Sequence, residues 1–444
     1  MRQAEIKATA GLIYGIKRNW ALDQYKPKQE EPKMKKLFAL AVAAVMLFAL
    51  CASASAATTV TIWHTFTDAQ QTALEKFAAD FNASQDEYVV VVESQAYSGF
   101  LDNVYNAVAN GVGPSIIINY ASTAADYVED GLVVDLSQYV FDPEIGMADV
   151  YNSLPASIQA ETVGFVDGGM YALPAVTTGP IFFINQTLYD ELGLKAPTTW
   201  EELAENSKII YEAKGIPGFA ADSLTDMMQA FMMQSGAGYI DVENKVVLFN
   251  TPEATAWLAW FGENVQKGYF ALNPTGDYWS NDFNAGMVAS YLGSCAGVPY
   301  IVPDGFEYSV APMVRGDVVE WFPAWNRGPI VFNKDEDTNR GAYMFIRYFL
   351  SPEVNTEWAI AMNALSPYGT TQASEAYAPF AAELAPSLVA VQDNLDVAGA
   401  LPTVTGSYAV RTALQDAAIA VAGGMSAEDA MAMAVATSNA ALQE

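Results

Sequence analysis

The sequence predicts an α/β fold divided into two lobes, on three observations. Strand-like and helix-like segments alternate after residue 57 at the spacing of βαβ units. Roughly 390 residues follow a removable leader, too many for one ordinary core. The turn Gly168-Gly169-Met170-Tyr171-Ala172-Leu173-Pro174 leads into the apolar stretch Ile181-Phe182-Phe183-Ile184-Asn185, the pattern of a chain crossing from one lobe to the other. The glycine pair gives the backbone latitude and Pro174 fixes its own φ, so direction can change where a strand must begin. A cleft between two lobes is where a small ligand sits.

Residues 1–33 carry seven Lys/Arg and four Asp/Glu without a periodic element, and are read as a leader extension or a mis-set start. Residues 34–56 predict an export signal: a Met34-Lys35-Lys36 head, an apolar run from Leu37 to Leu50, and the small residues Ala54-Ser55-Ala56 for cleavage. The apolar run spans 14 residues, short of the ~20 a membrane helix needs, so a periplasmic protein is expected. Cys51 raises the alternative of a lipid anchor on the outer face of the cytoplasmic membrane, against which stands Leu50 at a position that wants a small residue. Cleavage leaves Cys295 alone and no intramolecular disulfide.

Formal charge is −30; the first 56 residues hold nine Lys/Arg against four acids, and removing those five positive charges leaves −35 on the rest. That excess argues against nucleic acid and anionic membrane surfaces, both of which ask for basic patches. A single histidine, His64, removes most zinc chemistry and every Ser/His or Cys/His nucleophile system that does not use that residue. No cofactor or metal is expected.

Val60, Ile62, His64 and Phe66 alternate with Thr59, Thr61, Trp63 and Thr65, which predicts a first strand. Thr67 or Asp68 caps a helix carrying Leu74, Phe77, Ala78 and Phe81. The run Tyr88 to Val92 reads as a strand buried on both faces. A second helix carries Leu101, Val104 and Val108, stops at Gly111-Val112-Gly113-Pro114, and precedes a strand at Ser115 to Tyr120. This order predicts a largely parallel sheet.

Beyond the crossing, Thr199 and Glu202 form a capping box. Helices follow at Asp226 to Gln234 and Pro252 to Gln266, then strands at Gly286 to Tyr291 and Tyr308 to Val314. Arg340 to Leu350 and the segment from Ser351-Pro352-Glu353 are helical, as is the tail from Arg411, broken at Gly423-Gly424. Met227, Met228, Met232 and Met233 are expected as core filling. Asn333 to Asp337 lacks the glycine and distal glutamate of a calcium loop and is read as a solvated turn.

Four separate motifs then carry a resemblance. Tyr171-Ala172-Leu173-Pro174, Phe183-Ile184-Asn185 with Leu188-Tyr189-Asp190-Glu191-Leu192-Gly193-Leu194, Pro197 to Leu203, and Phe349-Leu350-Ser351-Pro352-Glu353 through Trp358 resemble the signature of family 1 extracellular solute-binding proteins. The opening Val60-Thr61-Ile62-Trp63-His64 is similar to the first strand of that family. The resemblance implies the two-lobed periplasmic-binding-protein fold of type II, with residues 57–174 and 312–366 as lobe 1, and 175–311 and 367–444 as lobe 2. It also implies the ligand-capturing subunit of an ABC importer: not an enzyme, a monomer, binding a carbohydrate or polyol phosphate and docking on permease subunits.

Trp63-His64, Phe81-Asn82-Ala83-Ser84, Thr177-Thr178-Gly179-Pro180 and the tail around Arg411 look most like the glycerol-3-phosphate/sugar-binding branch, where the matching arginine contacts phosphate. An ion pair with a carboxylate such as Asp416 is the other reading of Arg411. Two departures weigh against glycerol 3-phosphate. The tryptophan pair that the branch carries after residue 218 is replaced by Asp222-Ser223-Leu224-Thr225-Asp226, and an acidic residue near 120 is Tyr120.

Sugar capture asks for flat apolar faces and many hydrogen-bonding groups on loops after strands. The candidates are His64, Tyr97, Phe100 and Tyr120 from the first lobe, and Thr177, Thr178, Ser294, Gly328, Tyr368 and Arg411 from the crossings and second lobe, with Trp279 and Trp325 as stacking platforms. The competing class is an exported glycoside hydrolase with a carboxylate pair, for which the sequence offers no motif.

Overall fold

The computed structural model describes residues 57–96, 99–165, 167–272, 278–399, 401–402 and 404–443. The leader, the export signal, Cys51 and Tyr97 lie outside them.

The first strand, β1 (Thr58–His64), buries Val60, Ile62 and His64 on one face, as its alternation predicts. Helix α1 (Asp68–Ser84) buries Leu74, Phe77, Ala78 and Phe81, although Thr67 makes no side-chain cap bond. Strand β2 (Tyr88–Ser94) is not buried on both faces: it lies at the sheet edge, with Val89 and Val91 exposed. Helix α2 (Phe100–Ala109) buries Phe100, Val104 and Val108 and turns Leu101 outward. Strand β3 (Ile116–Tyr120) is buried until its last residue. Helix α3 (Ala156–Thr162) precedes the crossing, which runs through β4 (Val176–Thr178) into the wholly buried β5 (Pro180–Asn185).

Beyond it, α4 (Trp200–Lys214) starts on the predicted box: Thr199 Oγ1 accepts from Glu202 N at 3.1 Å, and the Glu202 carboxylate accepts from Thr198 N at 2.8 Å. After β6 (Ala220–Ala221), Ser223 caps α5 (Leu224–Gln234), whose Met227, Met228 and Met232 fill the core as expected. Helix α6 (Pro252–Gln266) leads to β7 (Ser290–Ser294), displaced from the predicted Gly286–Tyr291 because Gly286 takes a positive φ of 68° and turns the chain. Then come β8 (Tyr308–Pro312), β9 (Trp325–Val331), α7 (Glu336–Phe349), α8 (Pro352–Ala361), α9 (Ser407–Ala422) and α10 (Ala427–Gln443). Asp335 caps α7 through Thr338 N, so the Asn333–Asp337 segment is a helix start.

Two sheets organise these elements, in the orders β2-β1-β3-β9-β4 and β8-β5-β7-β6. In the first, β1 pairs in parallel with β2 and β3, while β9 pairs antiparallel with β3 and β4. The parallel part is built by the α1 and α2 crossovers; β4 and β9 serve the crossings to the second sheet, and no helix forces them parallel. One core cluster, with Phe77, Phe349 and Trp358, covers one face of the first sheet, and another, with Val104, Ile117 and Ile330, covers the opposite face. A larger cluster, with Phe182, Trp200, Phe231 and Leu414, surrounds the second sheet.

The chain passes between the sheets at three places. Gly179 joins β4 to β5, and a Cβ there would lie 2.3 Å from the Phe322 ring, so the crossing needs a residue without one. The segment 313–324 joins β8 to β9. Its Met313, Val314, Trp321 and Phe322 pack in the larger cluster around the second sheet, so the change of core falls near Trp325 and not at residue 312. At the third place, Leu365 and Thr177 exchange backbone hydrogen bonds of 2.8 and 3.0 Å. Tyr368, beyond the boundary drawn at 366, still packs in the first cluster, because its ring is fully buried there.

Candidate ligand-binding cleft

A cleft of about 1170 Å³ opens between residues of the two sheets and their helices. Its first wall carries Tyr105 from α2, Tyr120 from the end of β3, Tyr127, and Glu161 from α3. The other wall carries Asp222 just after β6, and Asp226 and Gln229 from α5, with Tyr239, Tyr278, Tyr408 and Arg411. Trp325 and Asn326, at the second crossing, form part of the lining. Thr405, just before α9, donates to Glu129 Oε2 at 2.8 Å and ties one side to the other.

Four of the residues expected from the sequence line this cleft: Tyr120, Ser294, Trp325 and Arg411. The others that are described lie behind it. His64 is buried in the first core, its Nδ1 accepting from Phe66 N at 3.0 Å and burial holding its pKa below the usual histidine range. Phe100 anchors α2, and Tyr368 is sealed in the core. Trp279 is buried beside the second sheet, while its neighbour Tyr278 reaches the cleft. Gly328 has no side chain to offer, and a Cβ there would collide with the Leu173 carbonyl. Thr177 and Thr178 are buried in β4. Thr177 nonetheless touches a cleft residue: its hydroxyl donates to Asn326 Oδ1 at 2.6 Å, while Asn326 Nδ2 donates to Glu161. That pairing fixes which way the Asn326 amide faces.

The electrostatics are acidic. Burial raises the Glu161 pKa to about 7, against the opposing hydrogen bond from Asn326. Burial also raises Asp222 to about 6, although its Oδ1 accepts from Trp279 N at 2.7 Å. Asp226 is raised by burial and lowered in part by Arg411, whose Nη2 lies 2.7 Å from Asp226 Oδ1. Arg411 is thus ion-paired with Asp226 on α5, and not with Asp416 on its own helix. Gln229 donates to the Tyr239 hydroxyl at 2.9 Å beside this pair.

Sequence reasoning missed Glu161, Asn326, Tyr239 and the acids of the 222–226 segment as lining residues. Only the last left a signal, since that segment stands where a tryptophan pair was expected.

Two α/β sheets joined by several crossings, with a cleft between them, are the architecture of the periplasmic-binding-protein fold. The model of the bacterial extracellular solute-binding protein family matches residues 76–384, and the chain belongs to that family. It is a binding protein, not an enzyme. The chain is similar to the cyclic alpha-maltosyl-1,6-maltose binding protein of Arthrobacter globiformis, with a TM-score of 0.75 at 23% identity over 87% of this chain and 99% of that one. It is also similar to the GacH receptor of Streptomyces glaucescens, with a TM-score of 0.74 at 18% identity over 87% and 99%. These likenesses bear out the two-lobed periplasmic-binding-protein fold. In sequence, the sn-glycerol-3-phosphate-binding periplasmic protein of Shigella flexneri is 23% identical over 349 residues, 73% of this chain and 78% of that relative. Among the described residues, no helix is long and apolar enough to cross a membrane.

Proposed function

We propose that this protein captures a neutral carbohydrate in the cleft and delivers it to an ABC permease. The observation that carries the ligand class is the chemistry of the lining. Tyr120, Trp325, Tyr278 and Tyr408 offer ring faces for pyranose CH groups, and Asp222, Glu161, Asn326 and Gln229 offer partners for hydroxyls. A phosphate finds less support. Among the described lining residues Arg411 is the only cation, its charge is engaged by Asp226, and Asp222 and Glu161 add further carboxylates. The cleft volume of about 1170 Å³ also exceeds what a three-carbon polyol fills and suits an oligosaccharide. The similarity to the cyclic alpha-maltosyl-1,6-maltose binding protein supports the same class.

Calorimetric titration of the mature protein with neutral di- and trisaccharides, with monosaccharides and with glycerol 3-phosphate tests this. Binding of an uncharged oligosaccharide with no binding of glycerol 3-phosphate is expected. Binding of glycerol 3-phosphate alone would overturn the ligand class and restore the phosphate role of Arg411.

A further inference from the structure

Tyr120 and Arg327 face each other across the β3–β9 ladder, so their side chains stand on one face of the sheet. The Arg327 guanidinium carbon lies 5.8 Å from the Tyr120 ring centroid and 4.5 Å from that of Phe66. Arg327 Nε donates to the Ile118 carbonyl at 3.3 Å, which ties the base of the group to β3. Phe66 is buried and itself held: its ring stacks on His64 at 5.7 Å and 18°, and meets Trp358 edge-on at 5.1 Å. The result is a column running from His64 through Phe66 and Arg327 to Tyr120, a residue 39% exposed that lines the cleft. Arg327 is not itself among the lining residues.

We propose that Arg327 is a positioning residue for ligand capture, its guanidinium holding the Tyr120 ring so that the part exposed in the cleft is preset as a stacking platform. The inference rests on the proposed function in taking Tyr120 as a ligand contact. An aromatic side chain at a strand end would otherwise have to be ordered when ligand arrives, and presetting it removes that cost. Guanidinium is suited to the task because its plane stacks on aromatic rings, which an ammonium does not do. The column also gives His64 a place in binding without contact: as a buried neutral ring it supports Phe66, the seat of the guanidinium.

The test is a double-mutant cycle in maltotriose binding, with Arg327→Gln, Tyr120→Ala and the double variant, together with ¹⁹F NMR of 3-fluorotyrosine placed at 120. Arg327→Gln is expected to weaken maltotriose binding about three- to tenfold in the Tyr120 protein and to add nothing once Tyr120 is alanine. In the unliganded protein it is expected to shift and narrow the fluorine resonance as the ring gains freedom, and Arg327→Lys is expected not to restore it. A loss of equal size in both backgrounds would overturn the proposal, since Arg327 would then act without Tyr120. A fluorine resonance unchanged by Arg327→Gln would overturn it too, whether or not maltotriose binds. If Tyr120→Ala alone leaves binding intact, the placement of ligand against Tyr120 falls, and with it the inference. If Tyr120→Ala weakens binding while Arg327→Gln does not, only the inference falls.

Discussion

Arg411 on α9 and Asp226 on α5 meet at 2.7 Å on one wall of the cleft, with Asp226 the more buried of the two. Arg411→Ala should therefore leave a buried carboxylate without its cation. A loss of about 1–2 kcal/mol is expected, less than for a sealed pair because the guanidinium is partly in solvent. The loss should be larger at pH 8 than at pH 5, where Asp226 can take a proton, and Arg411→Ala/Asp226→Asn should recover much of it. Urea unfolding of the wild type and the two variants at both pH values measures this.

Glu161 and Asp222 supply a second test through pH. Their folded pKa values, about 7 and about 6, stand above the ordinary carboxylate values of 4.5 and 3.8, so the folded state holds protons that the unfolded chain has released. Their contribution to stability is fully present below about pH 4 and is lost as pH rises through 6 and 7. Glu161→Gln, which keeps a neutral hydrogen-bonding group, should gain on the wild type as pH rises from 5 to 8, by on the order of 2 kcal/mol. Denaturant midpoints of both proteins across that range would show the difference; a constant offset would contradict it.

Trp325 sits where the chain crosses from the second sheet to the first and lines the cleft. As a stacking face it should behave as a binding hot spot, so Trp325→Ala is expected to cost at least about 2 kcal/mol of carbohydrate affinity. Its thermal midpoint should move little. Calorimetry with the best-binding sugar, alongside a thermal melt, separates the two effects.

Gly179 is a fourth point of leverage, because a Cβ there would lie 2.3 Å from the Phe322 ring. Gly179→Ala should destabilise the fold by about 1–3 kcal/mol through overpacking, and Phe322→Leu in the same chain should relieve part of the loss. Unfolding curves of the single and double variants check the coupling.

Much of the fold was legible because its signals are local. The alternation in β1, the helical spacing of Leu74, Phe77 and Phe81, and the Thr199–Glu202 box each depend on a few neighbouring residues. Strand β2 misled because Val89 to Val92 is apolar throughout, and only the strand order reveals that it is an edge. The cleft was legible where it is made by strand ends, as at Tyr120, Ser294 and Trp325. Elsewhere it depends on which way a helix turns. Phe100 and Leu101 are adjacent, yet the first is buried and the second lines the cleft. Asp226 and Arg411, distant in sequence, become a pair only when α5 and α9 pack. His64 was drawn to the site by its chemistry and lies instead beneath it.

The exchange of hydrogen bonds between Leu365 and Thr177 sets the third span against the first, where β4 passes into β5. Spans fastened side by side resist torsion and leave bending as the soft motion, as adjacent pins do for a door.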